Sequence, residues 1–485
     1  MSTIAQLNAQ RKAAGLPLIR FNIAYFQGQD LQDLRDAYAQ LYAFSDANPG
    51  DSRGYWAVAR GHGYDQYLCH NDSRIFLTWH RAYTYAFEKS LTSALQFVRR
   101  DPNLYLTLPF WDWTTWNAFF YAPNGVPKWV DEATYVGGGT TKPNPLYSAR
   151  SLYRVQSLRL TGQAQFTQRF PDQLRVAIPG LASDINRYMT ISDFGTFSNT
   201  FNGGAHGTVH VVTGGANAAS PLPNQYGDMT AVVSAAYDPI FWLHHSMVDK
   251  VWYDWQARYG NSTVSSHVLT TPVYGGLVGS QVLDTASQLK YIYSNQPPSS
   301  AAVHGSTVQL ASVADAAVQA ASVDASEHAK VAPAAGPAAG NQTIDLGALH
   351  GNFNHAELEF YSLHPPRLSY EIRAYLNDPK ADETTGKNTP SYAGNLVFFG
   401  HGLCTGGPGH CDPDQSPRDD YDLRAQHPLR YKKTDYSIDI TPVLQRVVRQ
   451  YPDAPVSATL VIVGVDGKQV APGTITHNGV SLTTT

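Results

Sequence analysis

Two stretches of the chain carry apolar residues at helical spacing. Arg81 to Val98 places Tyr85, Phe87, Leu91, Leu95 and Val98 at mixed three- and four-residue steps, and Phe241 to Tyr259 repeats the period with Leu243, Met247, Val251 and Trp255. Both read as amphipathic helices. They stand in a region, residues 1–295, where helix-like segments alternate with long loops rich in Gly, Pro and Asn. From 296 to 345 the pattern fades. That stretch is rich in Ala, Ser, Val, Gly and Pro, has no aromatic residue, and can bury little surface per residue. It reads as a linker with a short helix at 312–323. Beyond it the period drops to two: Leu368–Leu376, Asn395–Phe399, Tyr436–Ile440 and Ser457–Val465 are strand-like runs separated by turn residues. A small antiparallel β-sandwich is the expectation for residues 346–485, after a mainly α-helical domain at 1–295.

Composition agrees with this division. At 485 residues the chain exceeds the size at which one hydrophobic core keeps growing. A net charge of -4 with 15% charged residues shows no basic excess for phosphate backbones or anionic lipid, so neither nucleic acid nor a membrane is an expected partner. No window nears the roughly 18 consecutive apolar residues of a membrane span. The opening MSTIAQLNAQRKAAGLPL lacks the basic-then-apolar pattern of a secretory leader, which makes the expected location cytoplasmic. Three cysteines, Cys69, Cys404 and Cys411, are too few for a disulfide scaffold, and their odd number leaves at least one thiol outside a pair.

The histidines change the picture more than the composition does. His206-Gly-Thr-Val-His210 sets two imidazoles at i and i+4, on one face of a helix, where they can share a metal ion. A zinc protease needs Glu directly after the first histidine as general base, and here Gly207 stands there, so hydrolysis loses its catalyst. Downstream, in Asp238-Pro-Ile-Phe-Trp-Leu-His244-His245-Ser-Met-Val-Asp249, the i, i+4 spacing lets the Asp249 carboxylate accept a ring N–H of a metal-bound His245. Upstream, His62, His70 and His80 supply a second group, the last two flanking the mostly apolar run Ile75-Phe-Leu-Thr-Trp79. Two sets of three neutral imidazoles, with no carboxylate or thiolate obviously among them, suit copper held by nitrogen, though imidazole also suits zinc, iron and nickel. The pairing of the sets narrows the choice, because two triads on facing helices can bind one small ligand, such as dioxygen, between two metals.

With these residues in view the chain resembles the type-3 copper family of tyrosinases, catechol oxidases and molluscan hemocyanins. The likeness rests on His62-Gly63, on FLTWHR at Phe76–Arg81, on PFWDW at Pro109–Trp113, on NPL at Asn144–Leu146, on HGTVH at His206–His210, and on DPIFWLHH at Asp238–His245 followed by VDKVWYDWQ. It covers roughly residues 20 to 260, and more loosely the region after the linker resembles the β-sandwich of molluscan hemocyanins and related proenzymes. The resemblance implies a four-helix bundle enclosing two copper ions, with His62, His70 and His80 on the first and His206, His210 and His245 on the second. His244 then lies beside the site as a substrate-contacting residue, and Val232, thirteen residues before His245, stands where plant enzymes place a bulky gate. A small side chain there implies an open mouth. The implied activity is oxidation of a small phenolic or catecholic substrate to the o-quinone, with dioxygen as co-substrate; alternatives are a catechol or o-aminophenol oxidase without monophenolase activity, and a hemocyanin-like dioxygen-binding protein.

Several positions depart from the family pattern or add to it. Most relatives separate the second and third ligands of the first copper by eight residues, whereas nine lie between His70 and His80, and the gapless equivalent is Asn71; a one-residue bulge restores His70. Tyrosinases commonly carry a glutamate shortly before the first HxxxH histidine, holding a water that helps deprotonate phenols. Asn202 is the residue here that could hold such a water, and an amide is no base. Cys69 keeps the position at which fungal relatives form a thioether to the residue matching His62, a buried free thiol being the other reading. The second domain is expected to shield the copper site, with Leu403 in the Gly-rich turn Gly400–Cys411 as the plug and a Cys404–Cys411 bridge beside it.

Overall fold

The computed structural model describes residues 2–63, 73–220, 225–298, 342–349, 353–363, 368–400, 434–452, 454–470, 475, 477 and 479–484. The two ends of the first region meet in a short parallel ribbon, β1 (Leu18–Phe21) against β2 (Tyr291–Ser294), with Arg20 opposite Tyr293. Between them run the helices α1 (Gly28–Ala47), α2 (Phe76–Arg99), α3 (Leu174–Tyr188), α4 (Phe194–Phe201), α5 (Gly207–Gly214) and α6 (Pro239–Tyr259). Among the described residues no helix is long and apolar enough to cross a membrane.

Helix α2 begins five residues before the amphipathic stretch read from the sequence, and its first nine residues, Phe76–Thr84, are all buried. Helix α6 starts where its local chemistry dictates. The Asp238 carboxylate accepts from Ile240 N at 3.2 Å, Pro239 takes the first position where a missing N–H costs nothing, and Gly260 at φ 69° closes the other end. The amphipathic reading of this helix is corrected by the structure: Pro239 through Trp252 are buried on every face, polar residues included. A helix enclosed on all sides must satisfy or exploit each polar group it carries.

The second unit is two antiparallel sheets. In one, β3 (Gln342–Ala348), β8 (Pro455–Gly464), β5 (Tyr370–Leu376) and β6 (Tyr392–Phe398) lie in that order; in the other, β9 (Gly479–Thr484), β4 (Ala356–Leu363) and β7 (Thr434–Asp439). Strand β3 begins inside the segment read as linker, four residues before the expected boundary at 346. Alternate residues such as Ala356, Leu358 and Phe360 point inward. Leu358, Ile372, Leu396, Ile438, Leu460 and Leu482 from both sheets share one apolar cluster, to which helix α7 (Thr441–Gln450) adds Leu444. The expected helix at 312–323 lies outside the described residues.

Candidate metal centre

Six imidazoles from the first region meet in its interior. His62 follows the short helix Tyr55–Ala59, His80 sits in the first turns of α2, His206 ends a single π-helical turn at Asn202–His206, His210 lies on α5, and His244 and His245 lie on α6. All six are buried. Four of them place Nδ1 on a backbone carbonyl: His62 on Val232 O at 2.8 Å, His80 on Phe76 O at 2.9 Å, His206 on Asn202 O at 3.1 Å and His210 on Met229 O at 3.0 Å. A carbonyl only accepts, so each Nδ1 carries the proton and each Nε2 is left with a lone pair. This is the arrangement by which proteins fix the tautomer of metal-binding histidines.

The lone pairs converge. One atom each of His206, His210, His244 and His245 lies within 4.8 Å of the others, and the same holds for His62, His80 and His245, so His245 belongs to both groups. His210 Nε2 faces His245 Nε2 at 3.1 Å, and the rings of His80 and His245 stack at 4.2 Å. Among the described residues, His206 Nε2, His245 Nδ1 and both nitrogens of His244 have no hydrogen-bond partner. Burial pushes His62 down to about 4 and His206 to about 3, and with the neighbouring rings it holds His80, His210, His244 and His245 well below the usual range. These are neutral nitrogen donors, and an all-imidazole set with orphaned lone pairs fits copper better than a hard, oxygen-seeking ion. His70 and Cys69 lie outside the described residues.

Asp249 does not take the role read from its spacing. Its carboxylate accepts from Arg81 Nε at 2.5 Å, Arg20 Nη1 at 3.1 Å, Tyr291 Oη at 2.5 Å and Tyr293 Oη at 2.7 Å, while His245 Nδ1 has no partner among the described residues. Burial alone would raise this carboxyl, but Arg81 and Arg20 hold it below the usual carboxylate range. Arg20 also pairs with Glu88 at 2.7 Å and lies over the Tyr291 ring. This network answers why α2 buries a guanidinium. Arg81 ties α2 to α6, and Arg20 ties both to the β1–β2 ribbon, so the helices bearing His80 and His245 keep their spacing.

His206 is aimed by glycines. Gly204 leaves helical geometry at φ -100°, ψ -109°, and a Cβ on it would strike the hydroxyl of Tyr188, which accepts from Ala205 N at 3.2 Å. A Cβ on Gly203 would lie 2.6 Å from Leu396 Cδ1, and one on Gly207 would lie 2.9 Å from Val397 Cβ. Strand β6 of the second unit therefore packs directly on the backbone that carries His206. At its end the ring of Phe399 stacks on His210, centroids 4.2 Å apart and planes 29° apart, and stands 6.4 Å from His62.

Val232 is fully buried, and its N–H donates to Gly400 O at 2.9 Å. The open mouth expected from its small side chain is thus closed by the second unit. Leu403, with Cys404 and Cys411, lies outside the described residues, and the described ring that the second unit lays on the histidines is Phe399. Asn202 contributes its backbone carbonyl to His206. His244 stacks on His206 at 5.4 Å and stands 6.0 Å from Trp113.

Comparison with known proteins agrees with this geometry. Residues 42–258 match the family model described as the common central domain of tyrosinase. Polyphenol oxidase 3 of Agaricus bisporus is 30% identical over 289 residues, 50% of this chain and 49% of that protein, so the chain spans about half the length of this curated relative. A functional unit of octopus hemocyanin matches in structure with a TM-score of 0.56 at 19% identity, covering 96% of this chain and 99% of that one. A latent aurone synthase (polyphenol oxidase) matches with a TM-score of 0.60 at 18% identity, covering 97% and 89%. At these identities the solved structures speak for the fold alone. Residues 42–258 of this chain are thus a tyrosinase-family domain.

Proposed function

We propose that the chain oxidises phenols with dioxygen to o-quinones at a pair of copper ions, and that its second unit, an antiparallel sandwich, holds this activity latent. The observation that carries the reading is the set of six buried, neutral imidazoles, four with their tautomers fixed by backbone carbonyls. His62 and His80 would hold one ion, with His70 as the further ligand that the family resemblance implies, and His206, His210 and His245 the other. Copper, when bound, supplies the binding and reduction of dioxygen. The protein positions the nitrogens, keeps them unprotonated and excludes water from the cavity. Two o-diphenols give up four electrons and four protons to one dioxygen, yielding two o-quinones and two waters.

The stack of Phe399 on His210 supports latency, because the ring lies where an aromatic substrate would approach the second group. Phe399→Gly in the full chain, copper-loaded, is expected to raise the initial rate of oxygen uptake with 4-methylcatechol several-fold over the native chain. An unchanged rate would remove Phe399 as the block. The same covering favours a second reading, a dioxygen-binding protein: reversible oxygen binding by both chains, with no catechol consumed by either, would establish it in place of the enzyme.

A second expectation concerns Asn202. With an amide where a carboxylate base would serve, diphenol oxidation should outrun monophenol hydroxylation, with a lag on monophenols. Asn202→Glu should shorten that lag and raise the monophenol rate. Native monophenol turnover without lag, as fast as diphenol turnover, would contradict it.

A further inference from the structure

The segment Leu396–Gly400 lies along the histidine site as an extended peptide, and the first region receives it as one. Ala231 and Gly400 form a parallel β-bridge, in which Val232 N donates to Gly400 O. Just before the segment, Asn395 Nδ2 donates to Thr208 Oγ1 at 3.3 Å. Gly203 and Gly207 form a floor without Cβ atoms beneath Leu396 and Val397. Strand alternation turns Val397 and Phe399 to one face, toward Gly207 and His210, while Phe398 turns away and stacks on Tyr370 at 4.7 Å.

A free phenol would use only the ring position. It would leave the Val232 N–H and the glycine floor without a role. A backbone donor beside a groove shaped for side chains is how proteins take up an extended strand: main-chain bonds give affinity and alternate side chains give specificity. Phenylalanine at the ring position is tyrosine without its hydroxyl, so the resident segment has the shape of a substrate that cannot react.

We propose that the groove formed by Gly203, Gly207, Thr208 and the Ala231–Val232 edge binds extended peptides, and that the preferred substrates are tyrosyl or dihydroxyphenyl side chains with an aliphatic residue two positions earlier. The chemistry rests on the phenol-oxidation reading; the peptide binding does not. An oxidised peptidyl diphenol loses two electrons and two protons, as a free one does, and the acceptor is the same dioxygen; a tyrosyl ring takes one oxygen atom of a dioxygen and becomes the o-quinone, while the other oxygen atom leaves as water.

Ser369 Oγ donates to Thr230 O and accepts from Gly400 N at 2.7 Å, so it too ties the segment to the first region. The test uses the full chain carrying Ser369→Ala, Asn395→Ala and Phe399→Gly, all on the second unit, with faster amide exchange at Val232 verifying that the segment is released. Without copper, a fluorescent peptide Asn-Leu-Val-Phe-Phe-Gly should bind at least about tenfold tighter than a scrambled peptide of the same composition, and Gly207→Val should remove the difference. Equal binding, or none, by the released chain overturns the proposal. With copper, the same peptide bearing dihydroxyphenylalanine at the second Phe should show a kcat/KM at least about tenfold above that of the capped single residue, and equality also overturns it. If the peptide binds but neither diphenol is oxidised, the phenol-oxidation reading fails and the groove remains.

Discussion

His245→Ala is expected to cost the protein its second copper, dropping its content from two ions to about one per chain. Among the described residues, His245 is the one imidazole that belongs to both groups. Without it, the second group loses the nitrogen that faces His210 at 3.1 Å, while His62, His80 and the His70 that the resemblance implies would still hold the first ion. His244→Ala removes a ring from the four-histidine group yet leaves His206, His210 and His245 in place. That variant should retain two ions and alter turnover alone. Metal analysis of both variants after the same copper loading checks the pair, and equal loss would overturn the assignment between these adjacent residues.

The second large effect is on stability. Asp249→Ala would leave Arg20 and Arg81 buried without the carboxylate between them, and removing one partner of a buried ionic network costs about 3–5 kcal/mol. Tyr293→Phe deletes one hydrogen bond to that charge and should cost about 1.5–3 kcal/mol. Urea unfolding of the copper-free proteins compares the two directly. A cost for Asp249→Ala no greater than for Tyr293→Phe would mean that the network does not hold α2, α6 and the ribbon together. Because the network lies beneath the histidines, a destabilised Asp249 variant should also bind copper more weakly.

Much of the histidine cluster was legible in the chain because side chains that converge from one helix must obey helical spacing. His206 with His210, and the DPIFWLHH run, announce themselves by i, i+4 and by the Asp-Pro start of α6. Asp249 was misread for the same reason: four residues from His245 is the distance of a helical neighbour, but its partners Arg20, Arg81, Tyr291 and Tyr293 come from other elements. No local pattern reveals such a tertiary claim on a carboxylate.

The strands β5, β6, β7 and β8 followed from period two, whereas β3, β4, β9 and α7 went unread. Phe399 stood inside a recognised strand-like run, yet alternation tells only that a side chain leaves one face, not that a second unit lies against it. A signal was available in Gly203, Gly204 and Gly207, crowded around His206. Glycines that close together in a helical segment mark close approach by something else, here Leu396, Tyr188 and Val397.

A dicopper centre in this chain requires copper at the six imidazoles. Anomalous X-ray scattering at the copper edge, from crystals of the copper-loaded native chain, should give two peaks. One should lie within bonding distance of Nε2 of His62 and His80, the other within bonding distance of Nε2 of His206 and His210. A single peak, or peaks away from these nitrogens, would contradict it.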